Sequence, residues 1–532
     1  MPKVSKQTAG KIGLFTAVMM IFGTLVGIGI FFKNYSVFNN NHGNPIGILL
    51  SWVLSIILIM SIALSFCEIS SVKIKNQADG FGGWSERYLN HGLGRYNKLG
   101  YSLIFYTVNT FAIMFFTGEG CLNCFSNLGG QPGAFDFGKL TTLYVFIAAG
   151  GLFTLFIFLN ILASKGMARF SNIAGIIKFI PIAAVIILGI TFGVLNNGGG
   201  LWSGNWFQHE PSEVAKSPDI VGIITSIPSI LFAFEGYLVV GNIASDMKQP
   251  EKNVPLSMVI ALVIVSSLYL IITIGCMTAG TGNVYQLMEI CFKNEAVRNV
   301  LTNIMSVFIF ICIIGVLNAI TFTGMRAFQA GCEQNVLFKG KALVSKKPNS
   351  KLFAGGIWFL IAVGIWWVAT MIPSVILNTD QIVDACSYIM IIALYVLYVF
   401  VMIPAIANRK THKVEVRKTK VFIPACVIAL LGCLFIIVFC GFYKFLASPI
   451  QLGLKDGWNQ TYENGWGLFV KVKDAFVARP KDENGFILGF NCWQTIIVYW
   501  SVFAFMLLSP LINDLLIKLN GNKQGQKLIW QK

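Results

Sequence analysis

The chain has 532 residues, of which 55% are hydrophobic and only 12% are charged. Soluble proteins carry about 25% charged residues, so this chain has about half the usual charge for a water-exposed surface. The composition excludes an intrinsically disordered chain and argues against the three or four soluble domains that the length alone would suggest. A mean hydropathy of +0.71 and a net charge of +17, with 52 Gly and 44 Phe, indicate a basic polytopic membrane protein.

Long runs without Asp, Glu, Lys or Arg provide the apolar helices, each of about 20 residues, that a bilayer requires. They predict twelve spans, at approximately 12–32, 46–67, 99–121, 140–161, 170–195, 220–244, 254–278, 300–326, 353–372, 383–407, 421–443 and 493–517. The first run is too long for a signal peptide, and no small-residue cleavage site follows it. We therefore expect an all-α protein with 12 transmembrane helices.

The distribution of basic residues predicts the orientation of these spans. With the N-terminus inside, 28 Lys and Arg lie on the cytoplasmic side, 11 lie on the outer side, and Lys178 falls within a span. We expect a multi-pass protein of the plasma membrane with both termini in the cytoplasm. The net charge of +17 is then mainly a topology signal and a match to anionic lipid, so the expected partner is membrane lipid and not nucleic acid.

The twelve cysteines and four histidines predict no cofactor and no metal site. Most cysteines fall inside spans, and the pair Cys121-x-x-Cys124 near the outer end of the third span lacks partners at zinc-ligand spacing. Isolated thiols and an external disulfide both fit this pattern. All four histidines fall in loops, which leaves no imidazole inside the membrane for haem, metal or proton transfer.

The first span differs from its neighbours because it contains Gly23, Gly27 and Gly29. Each glycine weakens a helix by about 1 kcal/mol relative to alanine. In hydrocarbon, an unwound segment is tolerated only where its backbone faces protein or a polar cavity. The alternative is a small-residue face for helix packing, since Gly23 and Gly27 form a G-x-x-x-G pair. The glycines alone favour neither interpretation.

The sixth span contains Pro228 and, near its middle, the pair Glu235-Gly236. A carboxylate at that depth costs about 2.5–3.5 kcal/mol, so Glu235 is expected to face a cavity or to carry a proton. A glutamate that bonds only to nearby backbone is the alternative. Interrupted spans in corresponding places of two halves indicate an inverted-repeat transporter with its site near the bilayer midplane.

Unwound helix ends suit a small zwitterion, because free N–H groups attract a carboxylate and free carbonyls attract an ammonium. This interpretation divides the first ten spans into two repeats of five and leaves the last two spans outside them. The predicted units are 1–195, 196–410 and 411–532, the last with a long outer loop at 446–491.

Lys178 lies about two and a half turns beyond Arg169, or about 14 Å deeper in the fifth span. That depth exceeds easy snorkelling to the inner face. A buried ammonium needs carbonyls or a carboxylate as partners, so Lys178 is expected to serve as a fixed cation or a proton carrier. A lysine that still reaches water at the inner face is the alternative.

Five motifs resemble those of the amino acid–polyamine–organocation (APC) superfamily, in its order and at its spacing. Together they cover about residues 12–410. They are Gly27-Ile28-Gly29-Ile30-Phe31, Phe232-Ala233-Phe234-Glu235-Gly236, Pro250-Glu251-Lys252-Asn253-Val254-Pro255, Arg326-Ala327-Phe328-Gln329-Ala330, and Gly82-Gly83-Trp84 with Gly92-Leu93-Gly94.

The resemblance implies a leucine-transporter-like 5+5 inverted repeat with discontinuous helices 1 and 6, plus two peripheral helices, that transports amino acids or related amines by alternating access. The substrate carboxylate would meet backbone of the first break, the ammonium would meet carbonyls of both breaks, and Phe232 would close over the substrate. The implied substrate-binding residues are Leu25, Val26, Gly27, Ile28, Gly29, Phe232, Ala233, Phe234 and Glu235.

Lys178 matches the fifth-span lysine of sodium-independent members, whose ammonium occupies the place of a sodium ion. Thr321 and Thr323 are its candidate neighbours, and Lys178 and Glu235 are the candidates for proton coupling. Two positions depart from the family pattern: Ile28 replaces a frequent Ser or Thr, and Glu235 stands where many members are uncharged. The loop 446–491 is far longer than usual and rich in aromatics, which suggests a folded or interfacial cap.

These features predict a secondary transporter that moves amino acids independently of sodium, either coupled to protons or by exchange. An exchanger of polyamines or other amines with the same fold is the alternative. A membrane-embedded enzyme would need a polar catalytic set inside the spans, where we count only Lys178 and Glu235. An ion channel would need a ring of charge or a repeated filter loop, and the sequence contains neither.

Overall fold

The structure, a computed structural model, is mostly helical. It describes residues 12–27, 29–72, 80–128, 140–196, 218–279, 287, 291–292, 294–347, 350, 352–462, 464, 466, 470–472, 475–477, 490–522 and 525–531.

The first half of the chain forms nine helices within the described residues. They are α1 (Leu14–Leu25), α2 (Asn34–Asn40), α3 (Pro45–Ile69), α4 (Gly80–Tyr88), α5 (His91–Gly100), α6 (Thr110–Leu128), α7 (Thr141–Leu162), α8 (Ser164–Ile177) and α9 (Phe179–Asn196). A π-helical segment, Gly29–Lys33, leads into α2, and a second, Tyr101–Asn109, joins α5 to α6.

The second half contributes nine further helices to the described structure. They are α10 (Ile220–Phe234), α11 (Pro250–Ala279), α12 (Glu295–Glu333), α13 (Gly340–Lys346), α14 (Phe353–Leu377), α15 (Gln381–Thr411), α16 (Phe422–Phe435), α17 (Ser448–Asp456) and α18 (Cys492–Leu519). A 3-10 segment, Tyr237–Asp246, follows α10, and a π-helical segment, Ile436–Ala447, joins α16 to α17. Strands β1 (Val470–Val472) and β2 (Ala475–Val477) form an antiparallel hairpin.

The length and composition of the helices confirm a polytopic membrane protein. Among the described residues, 11 helices are long and apolar enough to cross a membrane, and α1 is a shorter apolar helix. The first predicted span is short because α1 ends at Leu25 and the chain continues as a separate helical segment. The prediction of a discontinuous first helix is therefore confirmed.

Asparagine side chains fix where several of these helices begin. The side-chain Oδ1 of Asn44 accepts a hydrogen bond from the Gly47 N–H, 2.9 Å away, at the start of α3. Asn491 and Gln494 form a reciprocal capping box at the start of α18. Each cap satisfies a backbone donor that the helix itself leaves without a partner, which is needed most near an apolar environment.

The helices differ in how deeply they are buried, and the difference positions the site. Almost all of the apolar part of α10 and its 3-10 continuation is inside the protein, whereas less than a third of α14 and of α18 is. On α14, Ile361 and Ile365 are half exposed, as expected for a surface that contacts lipid chains. The second interrupted segment is thus central, and α14 and α18 are peripheral.

Candidate functional site

The first helix is interrupted immediately before Gly29. α1 ends at Leu25, and Val26 is extended (φ −75°, ψ 109°), with its N–H donated to the Phe22 carbonyl at 3.0 Å. Ile28, a predicted site residue, lies outside the described residues. The break exposes backbone groups on both of its sides, because the first N–H and last C=O groups of a helical segment have no partner within it.

The second interruption lies between α10 and the 3-10 segment. Phe234 is the last helical residue, and Glu235 is extended (φ −71°, ψ 140°). Gly236 follows at φ +118°, a conformation that side-chain-bearing residues rarely adopt. The Glu-Gly pair therefore ends the helix at the point predicted from the sequence.

The two interruptions touch each other at their glycines. A Cβ atom placed on Gly29 would overlap Ala233 of α10, and one placed on Gly27 would overlap the Val316 side chain of α12. Such close approach of backbones is possible only without a side chain. Gly27 and Gly29 therefore lie at the helix break and also allow close packing, whereas a Cβ on Gly23 would meet nothing within 4 Å, so the alternative of a packing face built on the Gly23 and Gly27 pair holds only at Gly27.

Tyr269 of α11 links the carbonyls of both breaks. Its hydroxyl donates to the Leu25 carbonyl at 2.7 Å and also lies 3.4 Å from the Ala233 carbonyl. The freed carbonyls thus have a polar neighbour that is not part of either broken helix. Carbonyl oxygens with a neighbouring hydroxyl are suited to receive an ammonium group, and the positive end of the following helical segment is suited to receive a carboxylate.

Lys178 lies between α8 and α9 and reaches the first helix. Its side chain is buried, and its ammonium donates to the Gly23 carbonyl at 2.5 Å. The contact lies one turn before the break in α1. The alternative of a lysine that extends to water at the inner face does not hold, because the residue is 1% exposed.

The predicted neighbours of Lys178, Thr321 and Thr323, lie farther along α12 than the part of that helix that Lys178 contacts. A Cβ on Gly315 would lie 4.0 Å from the Lys178 side chain, which places the lysine beside the middle of that helix. Thr323 donates within its own helix, to the Ala319 and Ile320 carbonyls. Thr321 is buried, and its hydroxyl has no hydrogen-bond partner among the described residues.

The aromatic residues beside the second break point in different directions. The Phe234 ring packs against Trp52 of α3 and Tyr269, at centroid distances of 6.2 and 5.2 Å. The Phe232 ring instead lies 5.2 Å from the Lys33 ammonium. Of the two, Phe232 therefore faces the helical segment that follows the first break.

Glu235 faces a group of tyrosines. Its carboxylate accepts a hydrogen bond from the Tyr398 hydroxyl of α15 at 3.2 Å, while its other oxygen has no partner within the described structure. Tyr101, Tyr237 and Tyr395 interact electrostatically with it, and their hydroxyls likewise have no partner among the described residues. These four groups leave unmet hydrogen-bonding capacity around one buried carboxylate, which is expected of a site that binds water, a proton or a polar ligand.

The structure adds charged groups that sequence reasoning missed. Lys33, at the end of the π-helical segment, forms a buried ion pair with Asp384 of α15 and donates to the Ser387 hydroxyl at 2.8 Å. Glu119 of α6 is also buried and interacts electrostatically with both charges of that pair.

The count of only Lys178 and Glu235 inside the spans was therefore wrong. It was wrong because Lys33 stands just beyond the first predicted span, where a charged residue is read as the beginning of a loop, and because Glu119 and Asp384, near the ends of the predicted spans 99–121 and 383–407, were left out of the count. The sequence signal that could have identified Lys33 is its position, because a lysine one turn after a glycine break still lies within a site formed by that break.

A cavity of about 720 Å³ opens beside the same helices at the end where α1 begins, here called the inner face. Its lining includes the buried Tyr106 with its hydrogen-bond partner Asn242, and the charged residues Lys165, Arg326 and Glu333, of which Lys165 and Glu333 are exposed. The volume is sufficient for a small organic solute.

All twelve cysteines are free, so the structure favours isolated thiols over a disulfide. The alternative of an external disulfide is therefore not borne out. Within the described residues, no group of three or more His, Cys, Asp or Glu side chains could hold a metal ion.

The chain matches a family model described as amino acid permease over residues 12–459. It is 26% identical to the serine/threonine exchanger SteT of Bacillus subtilis, over 80% of this chain and 90% of that protein. It is 25% identical to the b(0,+)-type amino acid transporter 1 of Mus musculus, over 80% of this chain and 82% of that protein. An uncharacterized protein of Mycoplasma pneumoniae is 22% identical over 94% of both chains.

These relatives are transporters where their names state an activity, which agrees with the prediction of a transporter and not an enzyme. The match covers both broken helices, Lys178 and the ion pair of Lys33. The chain belongs to the amino acid permease family, a family of membrane transporters in the APC superfamily.

Proposed function

We propose that the protein moves amino acids across the cell membrane by alternating access, without sodium, and either with proton coupling or by exchange. The observation that carries this proposal is the contact between the two helix breaks at Gly29 and Ala233, beside a lysine bonded to the Gly23 carbonyl. A zwitterionic substrate would place its carboxylate against the backbone of Val26–Gly29 and its ammonium near the carbonyls of both breaks.

Lys178 is the reason to exclude sodium. A sodium ion at this level would need oxygen ligands from α1 and neighbouring helices, and the Lys178 ammonium already occupies the Gly23 carbonyl. A fixed positive charge at that position serves the same electrostatic purpose as a bound cation.

The proposed orientation places the inner face in the cytoplasm, with both termini on that side and the protein in the plasma membrane. The cavity of about 720 Å³ would then be the route of substrate release into the cell. Residues 1–195 and 196–410 would be two repeats of five spans, because the two interrupted segments begin their respective halves. Residues 411–532 would be peripheral, in contact with lipid.

The test is uptake of radiolabelled amino acids into proteoliposomes that contain the full chain. A screen against the twenty amino acids and common polyamines identifies the substrate, and replacement of sodium by potassium or choline is expected to leave the rate unchanged. A strict sodium requirement would contradict the role given to Lys178.

The variant that tests the role of Lys178 is Lys178→Gln, which keeps a hydrogen-bond donor but removes the charge. We expect uptake to fall about tenfold or more, because a charged donor to a buried carbonyl is lost. Lys346→Gln, at an exposed lysine in α13, is the control and is expected to retain full uptake. Equal rates for Lys178→Gln and the wild type would remove Lys178 from the mechanism.

The second candidate is an exchanger of polyamines or related amines. The buried carboxylates Glu119 and Asp384 close to the break favour this alternative, since they suit substrates with more than one positive charge. Binding of putrescine in preference to every amino acid in the same screen would select it.

A further inference from the structure

Lys178 directly follows α8, a helix that meets the rest of the protein along one narrow stripe. The residues of the stripe stand at positions 167, 171, 174 and 178, a spacing that places them on one face of a helix. Met167, Ala174 and Lys178 are buried and Ser171 is half-buried, whereas most other residues of α8 are exposed. The contacts of this stripe therefore decide where α8, and with it Lys178, lies.

Asn318 of α12 makes directional contacts with the stripe. Its side-chain amide donates to the Ser171 hydroxyl at 2.7 Å and to the Met167 carbonyl at 3.2 Å. Its side-chain oxygen accepts a hydrogen bond from the Asn160 amide of α7 at 2.8 Å. Asn318 is 1% exposed, so one buried amide joins three helices.

The contact between α8 and α12 nearer to Lys178 is made by small residues. A Cβ placed on Gly315 would lie 2.7 Å from the Ala174 Cβ and 4.0 Å from the Lys178 side chain. Small residues let two helices approach closely, but a contact without polar groups does not select one rotation or register. Hydrogen bonds are directional, and a single buried asparagine can fix the register of packed helices. Asn318 therefore supplies the register that the Gly315–Ala174 contact lacks.

The position of the Lys178 ammonium depends on this register. The ammonium donates to the Gly23 carbonyl, one turn before the break in α1. Successive residues of an α-helix are rotated by about 100°, so a slip of α8 by one residue would turn the Lys178 side chain away from α1. Lys178 lies two turns beyond Ser171 on the same face, so the hydrogen bonds of Asn318 act on it through a short stretch of helix.

The inner cavity adjoins α8 and α12 on the other side of these hydrogen bonds. Ala168, which follows Met167, and Phe322, one turn beyond Asn318, both line it. The cavity gives the first turns of α8 room to move, so packing at the beginning of the helix does not fix its rotation.

We propose that Asn318 is a positioning residue of the transport site. It fixes the register of α8 against α12 and so holds the Lys178 ammonium on the Gly23 carbonyl. Asn160 orients the Asn318 amide from α7, and Ser171 is the side chain on α8 that the amide holds. The inference rests on the proposed function, because it gives Asn318 a role in transport through Lys178.

The test is a double-mutant cycle with Asn318→Leu and Lys178→Gln. Uptake of a radiolabelled mixture of the twenty amino acids is measured in proteoliposomes that contain the full chain. We expect Asn318→Leu to lower uptake about tenfold, as Lys178→Gln does, because each variant removes the charged hydrogen bond at Gly23. The double variant should stay within about twofold of Lys178→Gln, since Asn318 acts through that lysine.

The thermal midpoints of the same purified proteins give a second cycle, which decides the matter if Lys178→Gln leaves no measurable uptake. The double variant should lose less than the sum of the two single losses, because Lys178 makes its hydrogen bond only while Asn318 holds α8 in register. Residues without direct contact or shared partners normally give additive losses, so a shortfall identifies coupling between positions 318 and 178.

Asn127→Leu is the matched control. The Asn127 amide donates to the Ser306 hydroxyl and joins α6 to α12, so this variant also removes an asparagine–serine bond on α12. Ser306 lies about 14 Å along α12 from Gly315, the neighbour of Lys178. We expect Asn127→Leu to keep uptake within about twofold of the wild type, and its loss of thermal midpoint to add to that of Lys178→Gln.

Ser171→Thr and Ser171→Val keep the proposal testable if Asn318→Leu does not fold. The two replacements have nearly the same shape, and only threonine keeps the hydroxyl that accepts from Asn318. We expect Ser171→Thr to retain at least about half of the wild-type uptake and Ser171→Val to lose about threefold or more.

Two results would overturn the role of Asn318. One is a double variant whose losses of uptake and of thermal midpoint equal the sum of the single losses, as in the control. The other is equal uptake by Ser171→Thr and Ser171→Val. Both results leave amino acid transport intact, whereas a wild type that takes up none of the mixture would contradict the proposed function itself.

Discussion

At the scale of single residues, Gly27 shows how little space the first break leaves. Its position allows no Cβ, because the nearest atom would be a methyl group of Val316. We expect Gly27→Ala to lower uptake about tenfold, since forced overlap in a packed interior costs about 1–3 kcal/mol. Uptake into proteoliposomes and the thermal midpoint of the purified protein measure the two effects.

Val316, which a Cβ on Gly27 would overlap, allows a specific test of this explanation. Adding Val316→Ala to Gly27→Ala removes the overlapping methyl group and leaves a contact of 3.5 Å with Cβ, so the double variant should regain most of the uptake. Gly364→Ala in α14, where a Cβ meets nothing within 4 Å, is the control. A double variant as inactive as Gly27→Ala would mean that the glycine matters for its backbone conformation and not for space.

Glu235 is the residue at which proton coupling is expected to be visible. It lies at the second break, and the Tyr398 hydroxyl donates a hydrogen bond to its carboxylate. If Glu235 carries a proton during transport, wild-type uptake varies with pH between about 5 and 8, and Glu235→Gln, which resembles the protonated form, is expected to flatten that profile.

Tyr398→Phe accompanies this variant and removes only the donated hydrogen bond. It should favour the protonated carboxyl, because the bond to the charged form is lost, and so shift the midpoint of the wild-type pH profile upward. Profiles of the same shape in all three proteins would reduce Glu235 to a structural role.

At the scale of elements, the sequence predicted the breaks in the helices but not the contacts between them. Gly29 and the Glu235-Gly236 pair are local signals, because glycine and a mid-span carboxylate disfavour a continuous apolar helix wherever the rest of the chain lies. Phe22, Tyr269 and Tyr398 carry no such signal, since an apolar or aromatic residue in a span is equally consistent with lipid, core or site.

The same limit explains Lys33 and Asp384. They are 351 positions apart, and each stands at the end of an apolar run, so only the tertiary fold reveals that they form a buried pair. Lys178 was recognised because it is far from both ends of its span. The sequence thus indicated the charged residues in the middle of a span, and the structure was needed to identify the buried ones near the ends of spans.

A second buried ion pair joins α5 to α18 at the inner face. Arg95 bonds Asp514 through two nitrogens, at 2.8 and 2.7 Å, and both side chains are almost fully buried. The other role of Asp514 is to accept the Ile529 N–H, which fastens the C-terminal segment. The pair therefore holds a peripheral helix and the chain terminus to the inner loops.

We expect Asp514→Ala to destabilise the protein by about 3–5 kcal/mol, because it leaves a buried guanidinium without its carboxylate. Glu86→Ala, which breaks the partly exposed pair with Lys98, is the control and should cost about 1 kcal/mol or less. The thermal midpoint in detergent reports both. Arg95→Met with Asp514→Leu should recover part of the loss, and an equal loss in Asp514→Ala and Glu86→Ala would show that burial does not matter here.

At the scale of the whole molecule, the distribution of basic residues and the inner cavity indicate the same face of the protein. The cavity lies at the end of the bundle where α1 begins, and the sequence places most Lys and Arg at that end. The Lys33–Asp384 pair ties the segment after the first break to α15 on the other side of the break. This conformation is therefore expected to admit solutes from the cytoplasmic side.

Cysteine accessibility tests that expectation. Ala330 lines the cavity, and Lys455 is exposed in α17 on the predicted outer side. In a background where the half-buried Cys67 and Cys121 are replaced by serine, a membrane-impermeant maleimide should modify Ala330→Cys only when it is applied to the cytoplasmic face. It should modify Lys455→Cys only from the outside, as the positive-inside distribution requires.

The two cysteine positions distinguish an error in the predicted orientation from an error in the predicted open conformation. If both cysteines react from the side opposite to the one expected, the orientation is inverted while the cavity remains a transport route. If Lys455→Cys reacts from outside but Ala330→Cys reacts from neither side without substrate, the orientation holds and the resting protein in the membrane is closed at the cytoplasmic face. Addition of the transported amino acid should then make Ala330→Cys reactive, because a carrier that alternates must expose this cavity once in every cycle.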